Sequence, residues 1–120
     1  MNYKGTLIIV RDCNKAFRFY HELFGFELIR DNDGNMELSN QIYLQEVDCW
    51  ERFIGKNAIS HNNNSELYFE EPDIEAFIHK LEKLYPETEY VNKKMTHSWG
   101  QTVVRFYDLD GNLIEVGTPA

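Results

Sequence analysis

Apolar and polar positions follow two periods along the chain, and the two periods occur twice in the same order. Thr6–Val10 is short, β-branched and apolar, which predicts a buried strand. Asp12 follows, with a carboxylate suited to the free amides of a first helical turn. Ala16, Phe17, Phe19, Tyr20, Leu23 and Phe24 then recur at helical spacing. Gly25 ends that helix where a positive φ costs little. Residues 26–29, 36–38 and 41–47 read as three short strands, the first two joined by the turn run Asp31-Asn32-Asp33-Gly34-Asn35. Residues 49–54 read as one or two helical turns.

The order then returns. Residues 66–70 alternate as a strand, Pro72 and Asp73 open a helix, and Ile74, Phe77, Ile78, Leu81 and Leu84 form its apolar stripe. Pro86 stops it. Residues 88–91, 101–107 and 113–116 read as strands, with Asp108-Leu109-Asp110-Gly111-Asn112 turning the chain before the last. The polar stretch 55–65, with Asn62, Asn63 and Asn64 in a row, reads as a connection, and His61 within it as a solvated side chain. The expectation is a single domain over 1–120. Module one covers about 1–54, the connection about 55–65 and module two about 66–120. Asp12 matches Asp73, Gly5 matches Glu66, and Tyr43-Leu44-Gln45 matches Leu113-Ile114-Glu115. A cleft between two such halves is the natural place for a ligand.

Length and composition narrow the classes. The 120 residues are 42% hydrophobic, enough for one core without staples. A net charge of −8 with no basic cluster argues against nucleic acid, and no apolar run approaches the roughly 20 residues of a membrane span. Cys13 and Cys49 form no paired motif, and the start of the chain lacks a signal-type apolar stretch. Together these predict reduced thiols and a cytoplasmic protein. Serine triads, phosphate loops and CxxC pairs are absent. His21 and His79 fall on helices and read as surface groups, and Cys13 as an inert thiol at a helix start.

Three segments carry a resemblance. Residues 12–26 (DCNKAFRFYHELFGF), 69–76 (FEEPDIEA) and 106–116 (FYDLDGNLIEV), in this order, resemble the vicinal-oxygen-chelate superfamily. That group includes glyoxalases, bleomycin-resistance proteins, extradiol dioxygenases and fosfomycin-resistance enzymes. The likeness spans nearly the whole chain. It implies an α+β fold of two βαβββ modules, with curved mixed sheets around a cavity and helices on the outer face. It also implies a homodimer, the commonest closed assembly in any case. Metal-dependent relatives set ligands at four matching places. Carried over, these are Gly5, Gln45, Glu66 and Glu115. Gly5 has no donor atom where His is frequent, Gln45 is neutral where Glu is common, Glu66 stands in a His place, and Glu115 keeps the usual type. No certain cofactor follows. A divalent metal, if present, falls to Glu66, Glu115 and Gln45, a hard oxygen set rather than a zinc set.

Strand alternation gives a separate reading of the same residues. With Ile114, Val116, Val104 and Phe106 toward the helices, Glu115 and Arg105 turn inward, as do Glu66 and Tyr68. By the same logic Tyr43 and Gln45 face inward from the first module. Glu115 and Glu66 are therefore the candidate catalytic carboxylates. Gln45, Tyr43, Tyr68, His97, Trp99 and Arg105 are candidate ligand contacts. Trp99 and His97 have two readings, lining the mouth of a cavity or packing and facing water. Two inward carboxylates need a cation, and Arg105 is the one at hand. Two functions follow: a protein that binds a small molecule without chemistry, its acidic aromatic cleft suited to a cation, or a metal-dependent lyase, isomerase or dioxygenase.

Overall fold

Two aspartates start the two long helices by the same device. Asp12 Oδ1 accepts the amide of Lys15, and Asp73 Oδ1 accepts that of Ala76, each at 3.1 Å. Each cap satisfies an otherwise orphaned donor and contributes about 1 kcal/mol. The Glu46 carboxylate adds a second acceptor at the first helix, taking the Cys13 amide at 3.0 Å. The structure is a computed structural model and describes residues 1–120. Its chain divides into two compact units, residues 1–59 and 60–120.

The first unit runs β1 (Thr6–Val10), α1 (Cys13–Phe24), β2 (Leu28–Asp31), β3 (Asn35–Leu38), β4 (Ile42–Glu46) and α2 (Val47–Ile54). Its sheet has the order β1-β4-β3-β2, with β1 parallel to β4 and the other pairs antiparallel. Ile8, Val10, Met36, Leu38, Ile42 and Leu44 are buried, as are Ala16, Phe19, Tyr20 and Leu23 of α1. Each large side chain so covered contributes roughly 1.5–3 kcal/mol. Gly25 ends α1 at φ 72°, where its amide returns to the carbonyls of Tyr20 and His21. Leu7, Tyr43 and Glu37 share one row on the opposite face of the sheet, and Ile9, Gln45 and Asn35 the next.

The second unit runs β5 (Leu67–Glu70), α3 (Ile74–Leu84), β6 (Tyr90–Thr96), β7 (Thr102–Tyr107) and β8 (Leu113–Gly117). The order β5-β8-β7-β6 repeats the first sheet, again with its first and last strands parallel. Val104, Phe106, Ile114 and Val116 are buried with Ile74, Phe77 and Leu81 of α3, and the Phe77 and Phe106 rings lie 6.1 Å apart. The α+β class and the repeated strand–helix–strand order therefore hold.

Four expectations change. The one or two helical turns expected over residues 49–54 form α2, which begins two residues earlier, at Val47. Strand β2 begins at Leu28 instead of residue 26, because Phe26 is buried in the core beside Tyr20. Strand β6 continues to Thr96. Its second half has no apolar alternation, as suits an edge strand defended by lysines. Lys93 and Lys94 pair there with Glu82 and Glu75 of α3. His61 is not simply solvated. Its Nδ1 meets Ser60 Oγ at 2.6 Å, its Nε2 meets Glu89 at 2.9 Å, and its ring packs on Tyr107. No helix is long and apolar enough to cross a membrane.

Candidate functional site

In the second unit, strand register brings four side chains into one row across all four strands. Tyr68 of β5 pairs with Glu115 of β8, Glu115 with Arg105 of β7, and Arg105 with Asn92 of β6. Alternation puts this row on the face away from Val104, Phe106, Ile114 and Val116, the residues packed with α3. Arg105 Nε donates to Glu115 Oε1 at 2.7 Å, a charge-assisted bond between side chains only 21% and 11% exposed. Arg105 Nη1 donates to Asn92 Oδ1 at 2.9 Å and to Met95 Sδ at 3.8 Å, and Nη2 reaches His97 Nε2 at 3.2 Å. Guanidinium offers donors only, so His97 Nε2 is the acceptor and the ring proton sits on Nδ1.

Glu66 immediately precedes β5 and shares a hydrogen bond with Glu115. Its carboxyl is held above the ordinary glutamate range. Partial burial is the largest cause, then the charge of Glu115 and the bond between the two carboxyls, with Arg105 acting the other way. The group therefore offers carboxyl oxygens beside a guanidinium whose N–H groups are largely taken.

A second set of contacts joins this row. The His97 and Trp99 rings stack at 4.1 Å with planes 9° apart. Trp99 Nε1 donates to Gln101 Oε1 at 3.1 Å, and Gln101 Nε2 donates to the Tyr68 hydroxyl at 2.6 Å. Sequence reasoning brought Glu66, Tyr68, His97, Trp99, Arg105 and Glu115 forward, and the structure places all six in one cluster. It passed over Asn92 and Gln101. Gln101 shares strand parity with Val103 and Arg105, so alternation was a usable signal. Asn92 lies in the polar half of β6, where only register reveals it.

The first unit spends its polar groups differently. Gln45 is 6% exposed, and its amide is committed on both sides. Nε2 donates to the Gly34 carbonyl at 3.0 Å, and Oε1 accepts from Asn35 at 2.9 Å, which pins the β2–β3 turn. Register also corrects the repeat. Leu7 pairs with Tyr43 as Tyr68 pairs with Glu115, and Leu7 precedes Asp12 by the same step as Tyr68 precedes Asp73. Tyr43, not Gln45, is thus the counterpart of Glu115. Tyr43 lines a cavity of about 550 Å³ with Tyr3, Ile29, Glu37 and Gln41.

These residues fit a resident metal poorly. Gly5 brings no donor, and its φ of 137° belongs to glycine. A Cβ there would stand 2.0 Å from the Gln41 carbonyl oxygen, so no ligating side chain replaces it without moving the backbone. Gln45 is committed, Glu115 is already bound by Arg105, and no three His, Cys, Asp or Glu side chains are grouped to hold an ion.

Comparison with known proteins follows this geometry. A glyoxalase-like domain family model matches residues 3–120. A search of curated proteins finds no match. Among solved structures, a protein of unknown function from Agrobacterium tumefaciens is 27% identical with a TM-score of 0.80, covering 100% of this chain and 95% of that one. The fosfomycin resistance protein FosX of Listeria monocytogenes is 17% identical with a TM-score of 0.78, covering 100% and 94%. A glyoxalase-related enzyme from Fulvimarina pelagi is 16% identical with a TM-score of 0.80, covering 98% and 88%. The latter two show likeness of fold. With its family model matched over nearly every residue, this chain belongs to the glyoxalase-like domain family.

Proposed function

We propose that this protein binds a small organic molecule on the open face of the second module, without an obligatory metal. Arg105 supplies the positive charge at Glu115. The observation that carries this reading is the 2.7 Å bond from Arg105 Nε to Glu115, in which a side chain of the protein occupies the carboxylate that a metal would need. Glu66 and Glu115 present carboxyl oxygens, while Tyr68, His97 and Trp99 present ring surface. Tyr43 and Gln45 belong to module one, where Tyr43 lines that module's cavity and Gln45 holds the β2–β3 turn. A thermal-shift screen of small organic molecules tests the reading, since a ligand that binds only the native state raises the melting temperature. The expected result is hits that weaken in Glu115→Gln and Arg105→Met. Hits unaffected by either change overturn it.

The raised proton affinity of Glu66 favours a second reading, an acid–base enzyme of the same superfamily acting as lyase, isomerase or dioxygenase. We also propose a cytoplasmic homodimer. Free thiols at Cys13 and Cys49 support a reducing compartment. Exposed apolar residues on each module, Leu7 and Ile29 on the first and Val91 and Met95 on the second, support surfaces that are covered in the assembly. A sedimentation mass near the 14.2 kDa of one chain at micromolar concentration contradicts the dimer.

A further inference from the structure

Trp99 is 67% exposed, yet it is not a loose surface ring. It lies flat on His97 on one side and is tied through its N–H to Gln101. Gln101 is only 7% exposed, and both ends of its amide are engaged. The oxygen takes Trp99, while the nitrogen donates to the Tyr68 hydroxyl and to the Thr118 carbonyl at 2.8 Å. Neighbouring Gly117 makes room for it, since a Cβ there would come within 2.8 Å of the Gln101 nitrogen. These contacts run in two chains that start at Trp99 and end on neighbouring strands. Trp99 stacks on His97, His97 accepts from Arg105 and Arg105 holds Glu115, while Gln101 ties Trp99 to Tyr68, the register partner of Glu115.

The bond to the Thr118 carbonyl serves the fold, but the tie from this buried amide to an exposed indole adds little to it. A ligand surface does, because rings ordered in advance lose no rotamer freedom on binding. The acceptors beside these rings are the oxygens of Glu66 and Glu115, four of the five Arg105 N–H groups are engaged, and the chain carries −8. Ring faces next to carboxylates attract a flat cation through stacking, cation–π contact and charge. We propose that Gln101 is a positioning residue that holds Trp99 and Tyr68 as a preorganised surface for a planar organic cation. This rests on the proposed ligand site of the second module and names the ligand class for it.

The test uses the Trp50→Phe background, in which Trp99 is the sole tryptophan. Gln101→Leu removes both aromatic ties, whereas Gln101→Glu keeps an acceptor for the Trp99 N–H and for the Tyr68 O–H. Without ligand, Gln101→Leu should lower Trp99 fluorescence anisotropy and raise acrylamide quenching, with Gln101→Glu closer to the parent. Calorimetric titration with proflavine, a planar cation, should show affinity roughly tenfold weaker in Gln101→Leu and largely kept in Gln101→Glu. Tetraethylammonium, a cation without a flat face, should bind the parent at least tenfold more weakly than proflavine. Unchanged Trp99 anisotropy in Gln101→Leu overturns the positioning role, whether or not any ligand binds. Equal affinity for both cations, or for neither, overturns the ligand class. Proflavine affinity lost in Arg105→Met but intact in Gln101→Leu leaves the site standing and overturns this inference alone.

Discussion

The two modules have one strand order and one capping device, but their matching rows hold different chemistry. Module two sets Tyr68, Glu115, Arg105 and Asn92 across four strands, with an ion pair at its centre. Module one sets Leu7, Tyr43 and Glu37 across three, with no ion pair between them. Ahead of these rows stand Glu66 in module two and Gly5 in module one. Glu66 bonds to Glu115, while Gly5 is pressed against the Gln41 carbonyl at a φ that excludes side chains. Repetition therefore fixes the scaffold and leaves each row free to diverge. The ion pair and its hydrogen-bond partners lie in the second module, while the buried amide of the first, Gln45, holds a turn.

The largest expected effect breaks the comparison at Gly5. Gly5→His restores a ligating side chain by name, but the backbone has no room for it. Denaturant unfolding should show a loss of roughly 3–4 kcal/mol and no gain in metal affinity. Next comes Arg105→Met, which leaves the mostly buried Glu115 without its cation. A loss of about 3 kcal/mol is expected at neutral pH. Glu37→Met, at the matching place in module one, should stay within roughly 0.5 kcal/mol. Equal losses at the two positions contradict the asymmetry. Gln45→Leu should cost roughly 1–3 kcal/mol by stranding the Asn35 amide and leaving the Gly34 carbonyl with the Glu46 amide alone.

The smallest effect is read through pH. Glu66 has its proton affinity raised by folding, so the native state binds more protons than the unfolded chain above the ordinary value of 4.5. Stability must then fall as pH rises through the raised range. Glu66→Gln should melt higher than wild type at neutral pH, with the difference vanishing below about pH 4.5. A difference that persists in acid shows that Glu66 acts through packing instead.

Much of this was legible in the sequence, for reasons that also explain what was not. Asp12, Asp73, Gly25 and Pro86 act locally, so their signals survive without tertiary context. Arg105 and Glu115 were found facing one way because strand parity is local too. The match of Gln45 with Glu115 failed because two residues along a strand preserve parity, and only inter-strand register separates Tyr43 from Gln45. Residues 92–96 were missed because an edge strand needs no apolar alternation. His61 was misread because its partners Glu89 and Tyr107 lie far along the chain.

The central claim is that Arg105, not a metal, neutralises the carboxylates of module two. The most direct measurement is the melting temperature of wild-type protein after EDTA treatment and after addition of Mg²⁺, Mn²⁺ or Zn²⁺, with metal content measured on the purified protein. The account predicts substoichiometric metal and a melting temperature that none of these treatments moves. Stoichiometric metal that co-purifies, with a melting temperature that falls in EDTA and recovers when the ion returns, would contradict it.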